Sequence, residues 1–395
     1  MSEKTDNKVP NVPNLRFDKS ELWHTELLSK YAKKITLKNK NNLIENIICN
    51  SAQNGLIQQK DFFDRTIVNN ENTENYYVIE QGDFVYNPRK SVTAPYGPVN
   101  VYEYTNSGIV SPLYLCFKVD GIDKRFLNYY FKSSAWYKYI YENGDSGARH
   151  DRVSIKDDVF LAQPIIVPHL TTQDKIASFL SKIDQRIETQ SKIIEDIETL
   201  RKWIINQQFT RTATNAIGEF IEQTSDRNKI NCVDRVLSVS NKYGFINQSE
   251  QFEDREVASD NRTNYKIVRR NDFAFNPARI NVGSIAKLDT YDIGIVSPMY
   301  ICFKSNNKNL DADYLSNFFS SNSFKNALNK RLEGSVRQCL QFDALCDIKL
   351  FVPSLNEQIS FVSKIKAITK KLTVEKDILS AYKKQKAYLL SNMFI

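Results

Sequence analysis

The sequence predicts an α+β protein in which two globular domains, arranged as a tandem duplication, are separated by two long helices that form an antiparallel coiled coil. Three observations lead to this fold class: an internal repeat, a coiled-coil-like apolar period late in each copy, and short strand-like runs bounded by turn signals elsewhere. The chain has 395 residues, which is typical of two or three domains at roughly 100–200 residues each.

The internal repeat is the strongest of these observations. Residues 108–118 read GIVSPLYLCFK and residues 294–304 read GIVSPMYICFK, so nine of eleven positions are identical. Upstream, Asp83–Pro88 matches Asp272–Pro277 at a separation of 189 residues, and downstream the separation settles at 185 residues. Because order and spacing persist along each copy, we interpret the chain as a duplication whose copies differ by a few loop residues.

The first part of each copy is predicted to be globular. Short alternating runs such as Tyr76–Glu80 and Tyr114–Lys118 are typical of strands, and Asn-Pro, Gly-Pro and Ser-Pro pairs mark turns. Most aromatic residues, including Tyr86 and Phe275, are predicted to belong to the cores. The predicted organisation is an N-terminal arm (1–20), a first globular domain (21–170), a central coiled-coil helix (171–214), a second globular domain (215–353) and a C-terminal coiled-coil helix (354–395).

The second part of each copy is predicted to be one long helix with an apolar seam. The apolar spacing alternates between four and three, and it is interrupted at matching registers by Gln190 and Arg201 and by Glu375 and Lys386. Two matching seams favour helices that bury each other in antiparallel orientation with pseudo-two-fold symmetry. The alternative is that each helix packs only on its own globular domain. The predicted seam residues are Ile176, Leu180, Ile183, Ile187, Ile194, Ile197, Ile204, Phe361, Ile365, Ile368, Leu372, Leu379, Tyr382 and Leu389.

The motifs of common catalytic and cofactor sites are missing. No G-K, G-x-G or G-x-S-x-G is present, so the sequence has no phosphate-binding loop, dinucleotide fingerprint or nucleophile elbow. The six cysteines form no C-x-x-C pair and the three histidines no H-E-x-x-H motif, so we expect buried thiols at Cys116 and Cys302 and no metal site. The Asn87-Pro88 and Asn276-Pro277 pairs lack the rest of an N-P-P-Y methyltransferase motif. A binder is therefore favoured over an enzyme.

Composition and charge are those of an ordinary soluble globular protein, with 25% charged and 41% hydrophobic residues. The formal charge of +8 is compatible with nucleic-acid binding, although residues 354–395 alone carry eight basic and three acidic side chains. No apolar run approaches the roughly 18 residues of a spanning helix, and Met1–Pro10 has no signal-peptide core. We therefore expect a cytoplasmic protein without membrane association.

Several of these motifs, in this order, resemble the specificity (S) subunits of type I restriction-modification systems. They are GDFVYN at residues 82–87, NDFAFN at 271–276, the two Gly-Ile-Val-Ser-Pro segments, and PSLNEQ at 353–358, which leads into the second helix. The first copy departs from the last motif, because PHLTTQ at 168–173 has no acidic residue before the glutamine. The resemblance covers nearly the whole chain.

The resemblance implies a non-catalytic, sequence-specific DNA-binding subunit. Its globular domains would be target-recognition domains, each reading one half of a bipartite, asymmetric target on double-stranded DNA. Its helices would set the gap between half-sites and dock two modification (methyltransferase) subunits, and restriction (helicase-nuclease) subunits would complete a type I site-specific deoxyribonuclease. S-adenosylmethionine, ATP and Mg²⁺ are expected in those partners, with no cofactor bound by this chain.

Candidate DNA-binding residues are those whose hydrogen-bonding groups suit bases or phosphates. The copies diverge immediately after each shared Asn-Pro pair, as two domains reading different half-sites would; the alternative is an ordinary variable loop. Arg152 and Arg337 each precede an aspartate by six residues, which fits either a phosphate contact or a scaffold ion pair. The predicted residues are Gln58, Asn87, Arg89, Lys90, Ser91 and Arg152 in the first copy, and Asn247, Asn276, Arg279, Asn281 and Arg337 in the second.

Two other function classes remain open at this point. A coiled-coil scaffold that only gathers other proteins needs no contact with DNA. A self-contained nuclease-methyltransferase is disfavoured, because it needs catalytic motifs that the sequence lacks.

Overall fold

Two units, each with its own hydrophobic core, make up the fold of the computed structural model. Unit 1 contains residues 1–190 and 378–395, and unit 2 contains residues 191–377. Each unit therefore combines one globular part with one stretch of each long helix. The structure describes residues 12–62, 73–145, 151–248, 262–305, 308–332 and 339–395.

Unit 1 has ten strands among its described residues, and they pair antiparallel. They are β1 (His24–Leu27), β2 (Ala32–Lys34), β3 (Ile48–Ser51), β4 (Gly55–Gln58), β5 (Tyr77–Ile79), β6 (Phe84–Tyr86), β7 (Val99–Val101), β8 (Gly108–Val110), β9 (Leu115–Val119) and β10 (Pro164–Val167). A four-stranded sheet has the order β2-β9-β6-β7, and the other strands form the pairs β1-β10, β3-β4 and β5-β8.

Unit 2 repeats this pattern strand for strand, which agrees with the duplication seen in the sequence. Its described strands are β11 (Asn215–Ala216), β12 (Ile221–Thr224), β13 (Leu237–Ser240), β14 (Gly244–Asn247), β15 (Lys266–Arg269), β16 (Phe273–Phe275), β17 (Ile285–Lys287), β18 (Ile293–Val296), β19 (Ile301–Ser305) and β20 (Lys349–Leu350). The order of its four-stranded sheet is β12-β19-β16-β17, and the pairs are β11-β20, β13-β14 and β15-β18.

The helices also correspond between the units. Their bounds are α1 (Gln59–Phe62), α2 (Lys124–Lys132), α3 (Tyr137–Asn143), α4 (Asp157–Leu161), α5 (Leu170–Phe209), α6 (Ala312–Phe319), α7 (Asn322–Leu332), α8 (Phe342–Cys346) and α9 (Leu355–Met393). Asp123 caps α2 by accepting hydrogen bonds from the N–H groups of Arg125 and Phe126. Asp311 caps α6 in the same way through the N–H of Tyr314.

An aromatic pair on neighbouring strands lies at the centre of each four-stranded sheet. Phe84 stacks on Phe117 with ring centroids 5.4 Å apart, and Phe273 stacks on Phe303 at 5.1 Å. The pairs occupy the same cross-strand register in the two units, where such contacts contribute beyond simple burial. The repeated apolar runs therefore form two equivalent cores.

Other residues predicted to be internal are also buried. Tyr86 and Phe275 lie in the cores, which confirms the prediction that they are not surface aromatics. Cys116 and Cys302 are buried as predicted, and all six cysteines are free thiols. Burial raises the pKa of the Cys302 thiol to about 12, so that thiol stays protonated and behaves as a small apolar side chain.

The long helices α5 and α9 pack against each other within each unit. In unit 2, Arg201 Nε donates to Thr369 Oγ1 at 3.2 Å and Lys376 Nζ to Glu198 Oε1 at 2.7 Å. Residue numbers rise along one helix as they fall along the other, so the pair is antiparallel. In unit 1 the Lys386 ammonium donates to Asp184. The predicted α+β fold class with its duplication and paired long helices is confirmed.

The predicted seam residues are all buried or half-buried. The helix ends also join the globular cores: Ile176 and Leu180 belong to the core of unit 1, and Phe361 and Ile365 to that of unit 2. The helices thus pack both on each other and on the globular parts. The sequence left these two arrangements open as alternatives. Five further apolar residues of the two long helices are buried that the seam pattern did not include, namely Ala177, Ile205, Phe209, Val362 and Met393. Among the described residues, no helix combines the length and apolarity that crossing a bilayer requires.

The described part of the N-terminal arm is held in unit 1. The N–H of Leu15 donates to the carbonyl of Asn392 at 2.9 Å, and Phe17 packs edge-on against Phe179 with ring centroids 5.8 Å apart. The arm therefore contacts both long helices of its unit.

One buried glutamine fixes the start of each long helix. Gln173 donates through Nε2 to the Pro168 carbonyl and accepts through Oε1 from the N–H of Asp123, each at 2.9 Å. Gln358 makes the equivalent bonds to Pro353 and Asp311 at 2.9 Å, and a further one to the Asn309 carbonyl at 3.0 Å. The side chain thus ties the helix start to the cap of α2 or α6.

Gln358→Met keeps the side-chain size but removes the amide. It is expected to lower the free energy of unfolding by about 2–4 kcal/mol, because buried backbone groups at Asp311, Pro353 and Asn309 lose their partner. Urea unfolding followed by circular dichroism measures the change. Gln385→Met, at an exposed position of the same helix, is the control and should cost much less; an equal loss in both variants would contradict the role of Gln358.

A buried lysine organises a charge network in unit 2. Lys287, with a side chain only 4% exposed, contacts Asp289 and Asp313 at 2.5 Å. Asp313 also contacts Lys366 of α9 at 2.5 Å. Burial alone would raise the pKa of Asp313, but hydrogen bonds from Lys287 and Lys366 outweigh it and lower that pKa below its usual value.

Asp313→Asn is expected to lower the free energy of unfolding by about 2 kcal/mol at neutral pH, because Lys287 stays buried with one anion fewer. Since the folded-state pKa of Asp313 is lowered, its stabilisation is present above the unfolded aspartate pKa of about 4 and is lost as the pH falls through the folded-state value. The deficit of the variant should therefore shrink between about pH 7 and pH 3 in urea unfolding. Asp292→Asn, on an 88% exposed side chain, is the control; a pH-independent deficit for Asp313→Asn would refute the linkage.

Candidate nucleic-acid interface

The Asn-Pro pairs form the same turn in both units. Asn87 Oδ1 accepts a hydrogen bond from the N–H of Arg89 at 3.0 Å, and Asn276 Oδ1 accepts from the N–H of Ala278 at 3.1 Å. Each asparagine follows the central strand directly, and the proline between donor and acceptor presets the backbone angle. The backbone arrangement that the two units share is called the frame below. It extends to this turn in both copies.

After this turn the backbones of the two units differ. In unit 1 the chain stays extended: the N–H of Lys90 donates to the Asp151 carbonyl at 2.8 Å, and the N–H of Val153 donates to the Pro88 carbonyl at 2.9 Å. In unit 2 it forms a 3₁₀ turn over Ile280–Val282, and Ile280 is buried. The predicted divergence is thus one of backbone as well as of side chains.

A glycine allows the extended segment of unit 1 to return close to its own start. Gly97 has φ +85°, and a Cβ there would lie 2.1 Å from the carbonyl oxygen of Asn87. The N–H of Asn87 in turn donates to the Pro98 carbonyl at 3.0 Å. Any larger residue at position 97 would push this loop away from the strand end.

Five of the six residues predicted in the first copy come together around one concave pocket of about 440 Å³. The sixth, Gln58, ends β4 outside this lining. The five residues are Asn87, Arg89, Lys90, Ser91 and Arg152. Sequence reasoning missed Asn50, Ser111, Leu113 and Tyr114, which also line the pocket. Three of these missed residues lie in the repeat segment 108–118, which is nearly identical in the two copies. That near-identity predicted shared structure rather than a binding site.

The two arginines of this pocket, Arg89 and Arg152, have few contacts with acidic side chains. Arg89 has a side chain 68% exposed, and its Nε lies 3.9 Å from Asp151 Oδ2, a long contact. Among the described residues, Arg152 forms no ion pair with Asp158, and its Nε is buried without a hydrogen-bond partner. The scaffold ion pair considered for Arg152 is therefore not seen in the described part of the chain.

Beneath the pocket, asparagine side chains hold the strands. Asn50 is buried and donates through Nδ2 to the Val85 carbonyl at 2.7 Å, while its Oδ1 accepts from Asn100 Nδ2 at 2.7 Å. Asn87 donates through Nδ2 to the Asn50 carbonyl at 3.1 Å. Both polar ends of Asn87 are thus engaged in the frame, whereas the Arg89 side chain is exposed.

The predicted residues of the second copy are less concentrated. A concave surface of about 770 Å³ in unit 2 includes Asn281, Tyr243 and Lys325, but neither Asn276 nor Arg279 lines it. Arg279 is exposed at the start of the 3₁₀ turn. Asn247 ends β14, and Arg337 lies outside the described residues. Within the part of the chain that is described, no group of His, Cys, Asp and Glu side chains could hold a metal ion.

Comparison with known proteins gives a family match that covers the first copy. Residues 25–199 match the family model described as the type I restriction modification DNA specificity domain. Residues 25–199 are therefore similar to a type I DNA specificity domain. This match includes most of β1, all of β2 to β10 and most of α5, and the second copy repeats the same strand pattern. No curated protein sequence matches the chain at a significant level.

Solved structures share the fold of the whole chain. The crystal structure of a type I restriction-modification S subunit from M. genitalium has a TM-score of 0.54 at 14% identity, over 97% of this chain and 99% of that one. A structure described as the basis of complex assembly and conformational transition of the type I system has a TM-score of 0.56 at 12% identity, over 93% and 96% of the two chains. The resemblance noted in the sequence is confirmed for both domain family and fold.

Proposed function

We propose that this chain is the non-catalytic DNA specificity subunit of a type I restriction-modification complex, and that its two globular parts each read one half of a bipartite, asymmetric DNA target. The observation that carries the proposal is a shared strand frame whose two copies diverge directly after the same Asn-Pro turn. Two readers of different half-sites need a constant frame and variable contacts. Base-specific contacts change with target sequence, whereas contacts to the phosphate backbone do not.

The partners follow from the same proposal. The long helices dock two modification subunits, and restriction subunits join the assembly in the cytoplasm. S-adenosylmethionine, ATP and Mg²⁺ act in those partners and not in this chain, whose sequence lacks their binding motifs. The basic stretch 354–395 supplies positive charge for an acidic partner surface or for DNA between the half-sites.

We expect the purified chain to bind DNA weakly by itself and to gain sequence-specific affinity with its modification partner, since assembly fixes both recognition surfaces on one duplex. Footprinting of the chain alone and of the complex, on a duplex chosen by genome-wide mapping of methylated adenine, measures this. Tight, sequence-blind binding by the chain alone would refute the proposal. The absence of any footprint from the assembled complex would favour a coiled-coil scaffold.

Single substitutions should affect the two halves of the target separately. Arg89→Ala is expected to relax sequence specificity in one half of the target, and Arg279→Ala in the other half. Each should lower discrimination at one base pair by about 1–3 kcal/mol, because a side chain able to pair with guanine is removed. Mapping methylated adenine in cells that express each variant complex reads out both halves at once.

The control is Lys138→Ala, which removes an 85% exposed cation that pairs only loosely with Glu142 and leaves the pocket lining intact. It should leave both halves of the motif unchanged. Loss of sequence specificity in both halves of the target from one arginine variant would argue against these residues as base readers. Unchanged specificity in both halves for both variants would argue against them as well.

A further inference from the structure

The unit 1 pocket separates an exposed cation from a recessed one. Arg89 projects with 68% of its side chain exposed, whereas Arg152 is half-buried and its Nε has neither surface nor hydrogen-bond partner. Lys90, also half-buried, lines the same pocket. Two donors at different depths are therefore placed to contact different parts of a ligand.

An unpartnered buried guanidinium nitrogen is costly unless a ligand supplies acceptors. Buried polar atoms are nearly always hydrogen-bonded, and a buried donor such as Arg152 Nε that lacks an acceptor lowers stability. Around Arg152 the lining adds further donors, the hydroxyl groups of Ser91 and Ser111 and the ammonium of Lys90. Within the described residues, the one ion pair at this pocket is the 3.9 Å contact between Arg89 and Asp151. The site is therefore built for an anion with several acceptor oxygens.

The depth of Arg152 favours a phosphate over a base. Base edges lie at the floor of a groove about 8.5 Å deep, so only a side chain that projects from the protein reaches them. Phosphate oxygens lie on the outside of the duplex and can enter a concave surface. A recessed guanidinium with neighbouring lysine and serine groups matches the residues that contact DNA phosphates.

We propose that Arg152 and Lys90 bind one backbone phosphate of the DNA, and that this contact positions the exposed Arg89 for base reading. This inference rests on the proposed function, because it requires unit 1 to contact DNA. It makes Arg152 a sequence-independent anchor and assigns sequence dependence in this pocket to Arg89.

The test measures affinity as a function of salt for the full chain assembled with its modification partner. Two duplexes are compared, the mapped target and a scrambled sequence of equal length. Arg152→Gln is expected to weaken binding to both by about tenfold near 0.1 M salt, as loss of a charged hydrogen bond would. The slope of log affinity against log salt should fall by about 0.9, the value for one phosphate. Arg152→Lys should keep the slope, because lysine retains the charge.

Matched variants distinguish this role from a structural one. Lys90→Gln should reproduce the loss of slope, which provides a second route if Arg152→Gln folds poorly in urea unfolding. Lys30→Gln removes a cation that is already paired with Glu26 at 2.7 Å and lies outside the pocket, so it should leave the slope unchanged.

Unchanged slope and affinity in both pocket variants, with the wild-type complex binding its target, would overturn the phosphate contact alone. A loss confined to the target duplex would overturn it too, since that result would make Arg152 a base reader. If the wild-type complex binds no target at all, the proposed function fails instead.

Discussion

The buried glutamine at the start of each long helix is the contact on which the rest of each unit depends. Gln173 joins the Pro168 carbonyl, where β10 leads into α5, to the N–H of Asp123 at the cap of α2. Because β10 pairs with β1 and follows α4, this bond fixes the end of the segment that begins beside the pocket at Arg152. The helix, the sheet and the candidate site are therefore set relative to one another within unit 1. Gln358 does the same in unit 2.

The same frame is maintained by different side chains in the two units. Buried Asn50 bonds to the Val85 carbonyl and to Asn100 in unit 1. Val239 occupies the equivalent place in unit 2, where its carbonyl accepts from Ser284 Oγ at 3.2 Å and its N–H donates to Tyr300 Oη at 3.3 Å. Burying backbone groups requires partners but does not specify which ones. The polar residues near the pocket can therefore vary while the strands keep their register.

Much of the fold could be predicted from the sequence, because a repeat and an apolar period are properties of the chain itself. The seam pattern gave the long helices but missed Ile205 and Phe209, since burial at the helix ends comes from globular parts distant in sequence. In the candidate site, residue type alone predicted Arg89 and Asn87 equally as DNA-binding residues. Only the structure separates them: Asn87 has both polar ends engaged in the frame, and Arg89 is exposed. Which hydrogen-bonding groups remain available depends on tertiary contacts, and a single sequence does not contain these.

Ionic contacts between the globular parts and the long helices show which features are free to change. Arg125, the second residue of α2, contacts Asp174 of α5 at 2.6 Å. The equivalent residue of α6, Asp313, contacts Lys366 of α9 at 2.5 Å. The positive charge is therefore on the short helix in unit 1 and on the long helix in unit 2. The glutamine contacts are unchanged, because they bind backbone groups that are the same for every sequence. A contact between two side chains can change if both partners change together. The Asn-Pro turn belongs to the constant class and Arg89 to the variable class. Under the proposed function, the contacts to a target would therefore change without altering the frame that presents them.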